Sequence, residues 1–198
     1  MEQTLPKMLR HSAEKWPELN AQYSRTKKGD FIPTNYHDFY QKALDCAGGL
    51  LTLGAKRGSR IGLISDNRAE WEQADMGLLI IGAIDTPRGC DATEKDLSYI
   101  LSFAECTIVI AENTSQVRKI LSVKDSLPLV DKIICFDPIG EAEQASADEK
   151  KVTLYQFTQL VEMGHQFRID NPDFVEAELD KGQWDDLCSI IFTSGTTG

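Results

Sequence analysis

LCSIIFTSGTTG, residues 187–198, sets two unlike pieces of chain end to end. Leu187 to Phe192 is a short apolar run, which predicts a strand buried on both faces, as in a parallel sheet. Thr193, Ser194, Thr196 and Thr197 then supply four hydroxyls. Gly195 and Gly198 permit backbone conformations that other residues resist. A loop in that place sits beyond the carboxyl end of a strand, where open α/β sheets take their ligands. Its consecutive N–H groups can converge on one anion, and each hydrogen bond to a charged acceptor contributes roughly 1.5–3 kcal/mol. Thr193, Ser194, Gly195, Thr196, Thr197 and Gly198 are therefore candidate phosphate-binding residues. A plain Ser/Thr/Gly turn has the same composition, and on these residues alone both readings stand. Two other phosphate loops do not fit. There is no GxxxxGK[ST], and Gly195-Thr196-Thr197-Gly198 supplies only the tail of GxGxxG.

The preceding chain alternates in period. Thr4 to Trp16 reads as an amphipathic helix closed by Pro17. Ala21 to Thr26 and Phe31 to Thr34 bracket the turn Lys28-Gly29-Asp30 as two short strands. Tyr36, Phe39, Tyr40, Ala43, Ala47, Leu50 and Leu51 fall at helical spacing, with Asn35 to cap the start and Gly54 to end it. The basic turn GAKRGSR leads to a strand at Ile61 to Ile64, and Trp71 to Ile81 follows as a helix ended by Gly82. Ala83 to Thr86 reads as a strand, after which Pro87 and Gly89 turn the chain. Thr93 and Asp96 form a capping box for a helix carrying Leu97, Ile100, Leu101 and Ala104. Thr107 to Ala111 is a strand, Thr114 to Leu121 a helix, Asp131 to Phe136 a strand. Residues 139–151, with EAEQASADEK, read as a solvated acidic loop. Leu154 to Met163 reads as a helix, and Pro172 to Gly182 as an acidic connection. Strand and helix in alternation predict an α/β fold with a mostly parallel sheet flanked by helices.

Composition narrows the functions. The chain has 198 residues, 41% hydrophobic and 26% charged, an ordinary globular balance. A net charge of -10 disfavours nucleic acid and anionic lipid as partners. It also opposes a nucleoside triphosphate, so such a ligand would depend on local backbone dipoles and Mg²⁺. No run approaches the roughly 20 apolar residues of a membrane helix, and the first 18 residues lack the apolar core of a signal peptide. The five cysteines, Cys46, Cys90, Cys106, Cys135 and Cys188, form no CxxC and read mostly as reduced, buried thiols of a cytoplasmic protein. His11, His37 and His165 lack metal-ligand spacing and read as surface residues. Asn67, Arg68 and Trp71 read as helix cap and anchor, and Arg88 with Asp91 as a structural turn.

Read with its neighbours, IIFTSGTTG resembles the phosphate-binding motif of the AMP-forming adenylating enzymes, the superfamily of acyl-CoA synthetases, luciferases and peptide-synthetase adenylation domains. Phe192 fills the aromatic position that precedes the motif. SDNRAEW at Ser65 to Trp71 and PRGCDATEKDLSYIL at Pro87 to Leu101 resemble segments of bacterial long-chain fatty-acyl-CoA synthetases. With GGLLTLGAKRGSRIGLIS, the resemblance runs from about Thr4 to Gly198.

The resemblance implies that residues 1–198 are the N-terminal part of the large AMP-binding domain. The rest of that domain and a C-terminal lid domain would lie beyond. It implies ATP, Mg²⁺ and coenzyme A as cofactors and a fatty acid as substrate, with no nucleic-acid partner and with room for peripheral membrane contact. Thr193 to Gly198 would wrap the β- and γ-phosphates. The adenine-binding stretch, a Mg²⁺-binding glutamate and a catalytic lysine would also lie beyond the chain. The 198 residues alone are then expected to be inactive and prone to self-association. Two alternatives remain open: a non-catalytic α/β module that binds a nucleotide or protein, and a ligase of the same superfamily acting on another carboxylic acid.

Overall fold

The computed structural model describes residues 4–26 and 28–193. The chain divides into two compact units, the first comprising residues 1–57, 67–82 and 161–187, the second residues 58–66, 83–160 and 188–198.

The first unit opens with α1 (Leu5–Lys15), whose N-cap hydroxyl on Thr4 accepts from the Lys7 N–H. β1 (Asn20–Arg25) and β2 (Phe31–Asn35) pair antiparallel as an isolated hairpin. The Asn35 side chain then accepts the Asp38 N–H at 2.7 Å and starts α2 (Tyr36–Thr52). Of the predicted face of that helix, Phe39, Tyr40, Ala43, Ala47 and Leu50 are buried and Tyr36 and Leu51 half-buried, while Leu44, outside the predicted set, is buried too. Gly54 follows at φ +89°, a left-handed conformation in which a side chain would be strained. α3 (Ala69–Ile80) belongs to the same unit, as does α8 (Phe174–Asp180). The segment expected to be a plain acidic connection therefore contains a helix, and it buries Val175 and Leu179 four residues apart.

The second unit is built on a five-stranded parallel sheet in the order β4-β3-β5-β6-β7. Its strands are β3 (Arg60–Ile64), β4 (Ile84–Arg88), β5 (Ile108–Ala111), β6 (Lys132–Cys135) and β7 (Thr153–Gln156). α4 (Glu94–Phe103), α5 (Thr114–Ser122) and α6 (Glu141–Glu149) supply the intervening helices. Alternate strand residues Ile64, Val109, Ala111, Ile133, Cys135 and Leu154 pack with Leu97, Leu101, Val117, Ile120, Leu121 and Ala147 from those helices. Gly62 completes the row because a Cβ there would lie 2.4 Å from a Leu101 methyl. The residues of opposite parity, Ile61, Leu63, Ile110 and Ile134, are also fully buried. Burial on both faces is why these strands read as unbroken apolar runs. The fold is the expected α/β arrangement, a mostly parallel sheet flanked by helices.

Three further elements differ from the sequence reading. Residues 141–149 form α6, not a loop. Ala, Glu and Gln are strong helix formers, the Gly140 N–H is held by the Glu143 carboxylate at 3.2 Å, and only Glu143 and Ala147 need be buried. The expected helix from Leu154 begins three residues later, as α7 (Phe157–Asp170), because Thr153–Gln156 is taken by β7. Pro87 does not turn the chain: it lies within β4, level with Leu63. A residue lacking an N–H is tolerated there because β4 ends the hydrogen-bonded order of the sheet.

Candidate functional site

The carboxyl ends of β3, β4 and β5 leave the sheet side by side. Their exits are staggered by backbone bonds: the Ser65 N–H donates to the Arg88 carbonyl at 3.0 Å and the Glu112 N–H to the Ile64 carbonyl at 2.9 Å. Each helix that follows has a defined start. Thr93 and Asp96 exchange the two bonds of a capping box at α4, as the spacing predicts. The Asn113 carboxamide oxygen accepts the N–H groups of Ser115 and Gln116 at α5.

Residues 188–190 run beside β4, but Leu187 to Phe192 does not form the doubly buried strand predicted. A single parallel bridge joins Asp85 to Ser189. It consists of the Asp85 N–H donating to the Cys188 carbonyl at 3.0 Å and the Ile190 N–H donating to the Asp85 carbonyl at 2.9 Å. Ile190 and Phe192 turn inward and pack on the core of the sheet unit. Leu187 and Ile191 are 59% and 70% exposed. Phe192 stands edge-on to Tyr99 and Phe103 of α4, with ring centroids 6.0 and 5.8 Å away. Thr193 is exposed. The other predicted phosphate-binding residues, Ser194, Gly195, Thr196, Thr197 and Gly198, lie outside the described residues.

Two electrostatic features accompany this edge. Asp85 is 3% exposed, and burial pushes its carboxyl above the usual range, with the Ser189 hydroxyl pulling it partly back. Beyond β4, burial and a hydrogen bond to Glu112 push the Cys90 thiol up to about 11, so it stays protonated at neutral pH.

The sequence reading missed the most connected group here. Asp66, Cys90 and Glu112 bring their side-chain ligand atoms within 4.8 Å of one another, one from the exit of each of three adjacent strands. Glu112 Oε2 accepts from the Asp66 N–H at 2.8 Å and the Ser65 hydroxyl at 3.1 Å. Its Oε1 accepts from the Asn113 amide at 3.2 Å. Asp66 Oδ1 accepts the Cys90 N–H at 3.0 Å. These carboxylate oxygens already serve four donors, so the group does not fit the oxygen cage that Mg²⁺ requires. Only residue type hinted at it: two acids, Asp66 and Glu112, just past apolar strands and 46 residues apart.

The other sequence assignments stand as follows. Arg88 and Asp91 form an ion pair at 3.3 Å in the turn after β4. Arg68 occupies the N-cap of α3 without a side-chain cap bond, and its guanidinium donates to Glu70 at 2.8 Å. His11, His37 and His165 are exposed. Cys46, Cys106 and Cys135 are buried free thiols, while Cys188 is exposed.

The family described as AMP-binding enzyme matches residues 9–198. A long-chain-fatty-acid–CoA ligase, ACSBG2 of Xenopus laevis, is 28% identical over 196 residues, which are 98% of this chain and 25% of the relative. Fatty acyl-CoA synthetase A of Dictyostelium discoideum is 30% identical over 173 residues, 87% of this chain and 24% of the relative. The chain thus spans about a quarter of the length of the curated relatives it matches. Among solved structures, the anthranilate CoA ligase AuaEII in complex with anthranoyl-AMP superposes with a TM-score of 0.72 at 19% identity, covering 96% of this chain and 32% of that one. The N-terminal domain of FACL13 from Mycobacterium tuberculosis superposes with a TM-score of 0.68 at 24% identity, covering 100% of this chain and 42% of that one. At those identities the two structures establish the shared fold.

Proposed function

This chain belongs to the AMP-binding enzyme family, and from that premise we propose that it is the N-terminal part of the adenylation domain of a long-chain fatty acid–CoA ligase. The observation that carries the reading is the family match, which continues to residue 198 and so includes TSGTTG. The ligase names of the relatives support a fatty acid as substrate and coenzyme A as acceptor. The described residues contain no helix long and apolar enough to cross a membrane, and a cytoplasmic enzyme is the location proposed.

The reaction has two steps. A carboxylate oxygen of the acid attacks the α-phosphorus of ATP, and the bond to pyrophosphate breaks with its electron pair leaving on pyrophosphate. The thiol sulfur of coenzyme A then attacks the acyl carbonyl carbon, AMP leaves, and the thiol proton passes to solvent or a base. The first step brings a carboxylate anion against an anionic phosphate, so fixed donors are the main need. Thr193 to Gly198 would meet it with hydroxyls and backbone N–H groups around the β- and γ-phosphates. Mg²⁺ would neutralise the triphosphate. Asp66 and Glu112, whose oxygens already accept from the protein, do not fit as its ligands.

The test uses the longest natural reading frame containing these 198 residues. Pyrophosphate exchange should depend on a long-chain fatty acid, and Thr196→Ala with Thr197→Ala should lower kcat/KM for ATP by about a hundredfold. Exchange driven only by an aryl or short-chain acid would replace the substrate class, and no exchange with any acid would leave the binding-module reading. The 198 residues alone should show no exchange, since they span about a quarter of the ligases they resemble.

A further inference from the structure

We propose that Asp66, Cys90 and Glu112 form a site for one thiophilic divalent cation of the Zn²⁺ class, separate from any Mg²⁺ that accompanies ATP. The three side chains follow the carboxyl ends of the adjacent strands β3, β4 and β5, and their ligand atoms lie within 4.8 Å of one another.

The donor set selects the ion. One sulfur with two carboxylates suits Zn²⁺ or Cd²⁺, whereas Mg²⁺ takes oxygen alone. Coordination number points the same way. Asp66 Oδ1 accepts the Cys90 N–H, and Glu112 Oε2 accepts from the Asp66 N–H and the Ser65 hydroxyl. Asp66 Oδ2 accepts from no donor among the described residues. Glu112 Oε1 takes the Asn113 amide at 3.2 Å and keeps a second lone pair. Each carboxylate thus has one position to offer. With the sulfur and one water these make the four ligands of Zn²⁺. Bonds of about 2.0–2.3 Å set such ligands roughly 3.5 Å apart, which asks for a side-chain closure of about 1 Å.

The Cys90 thiol hydrogen-bonds to Glu112, so sulfur and carboxylate already face each other across one proton. The cation takes that proton's place: the sulfur–hydrogen bond breaks, a sulfur–metal bond forms, and the proton passes to solvent. Among the described residues neither Asp66 nor Glu112 has a cationic partner. Lys119 comes near from α5, but its ammonium is engaged by the carbonyls of Cys90 and Ala92, each at 2.9 Å.

Gln116 gives an independent sign. It lies in the first turn of α5, its N–H held at 3.2 Å by the oxygen of Asn113, the residue whose amide holds Glu112. It is 4% exposed, and its carboxamide oxygen has no donor among the described residues. A buried acceptor of this kind calls for a donor, and a water carried by the cation is one.

The experiment adds Cd²⁺ or Zn²⁺ to the longest natural reading frame containing these residues, stripped of metal and kept reduced with a phosphine. Wild type is compared with Cys188→Ser, Cys90→Ser, Asp66→Asn and Glu112→Gln. The readouts are the ultraviolet sulfur-to-cadmium charge-transfer band, Zn²⁺ titration calorimetry and the thermal midpoint. None depends on ligase activity, so this proposal and the ligase reading fail separately. One equivalent of Cd²⁺ should give the band in wild type and in Cys188→Ser, and Cys90→Ser should lose it. Zn²⁺ should raise the wild-type midpoint and leave that of Cys90→Ser unchanged. Asp66→Asn should weaken Zn²⁺ binding at least about tenfold, the least that even an outer partner costs. It keeps an oxygen for the Cys90 N–H, so it decides the matter if Glu112→Gln does not fold. No band in wild type, or the same band in Cys90→Ser, would overturn the proposal. So would an unchanged Zn²⁺ affinity in Asp66→Asn, which would reduce the site to a single thiol.

Discussion

Gly164 of α7 meets the backbone of Asp45 in α2 so closely that an added Cβ would lie 1.6 Å from the Asp45 carbonyl oxygen. The contact is reciprocal, since a Cβ on Gly48 would lie 2.8 Å from the Gly164 carbonyl oxygen. Two helices cross here main chain to main chain. In an exposed helix, glycine to alanine would gain about 1 kcal/mol of helix propensity. At this crossing the sign reverses, because the obstruction is backbone and cannot rotate away. Gly164→Ala should lose about 3 kcal/mol, read as a lower midpoint in urea unfolding. A variant as stable as the wild type would mean that the helices part without cost.

Arg118 and Glu143 give α6 an acid-sensitive attachment. Glu143 is 4% exposed, and the Arg118 guanidinium, donating through Nε at 2.8 Å and through Nη2, holds its carboxyl below the usual range. A depressed folded-state pKa contributes stability that is complete above the unfolded value, about 4.3, and is lost as pH falls through the folded value. Glu143→Gln should therefore be less stable than the wild type at pH 7 and indistinguishable from it in strong acid. Urea melts across that range will show the two curves converge. Parallel curves would remove the ion pair from the account of α6.

Asp85 has the opposite sign. Its carboxyl titrates above the unfolded value of about 3.9 because it is buried. The folded state then binds the proton more tightly, and stability declines as pH rises from about 4 through the folded value. Asp85→Asn leaves both backbone bonds to Cys188 and Ile190 in place and removes the buried charge. Its thermal midpoint should exceed that of the wild type at pH 7, with the gap closing toward pH 3. A variant less stable at pH 7 would show that the charge is required.

The open side of residues 188–193 carries apolar surface. Ile191 is 70% exposed, and among the described residues backbone pairing on this stretch stops at one bridge. Such surface favours association. Light scattering of the 198-residue chain should show mass rising with concentration, and Ile191→Lys should suppress the rise. A wild-type chain that stays monomeric would count against it.

How much of this was legible depended on how residues are buried. β3, β5 and β6 were plain because both of their faces are enclosed, which leaves apolar runs such as Ile61 to Ile64. The caps at Asn35 and Thr93 were equally plain, being local chemistry. α6 was not, because a helix that buries only Glu143 and Ala147 shows no apolar period. The run LCSIIF misled in the other direction: apolar content marks a strand but does not supply neighbours, and Ile191 faces outward. At the candidate site, the TSGTTG motif was recognised from its residues, yet only Thr193 falls among those described. Glu112 escaped notice because its donors come from strands adjacent in space and distant in sequence.

Cys188 gives the molecule a ready point of attachment. It is exposed, whereas Cys46, Cys106 and Cys135 are buried and Cys90 stays protonated at neutral pH. A maleimide dye offered to the native protein should label Cys188 first, five residues ahead of Thr193 on the segment that β4 holds. The reporter would then sit beside the proposed nucleotide loop without any substitution, and its emission on addition of MgATP could be followed directly.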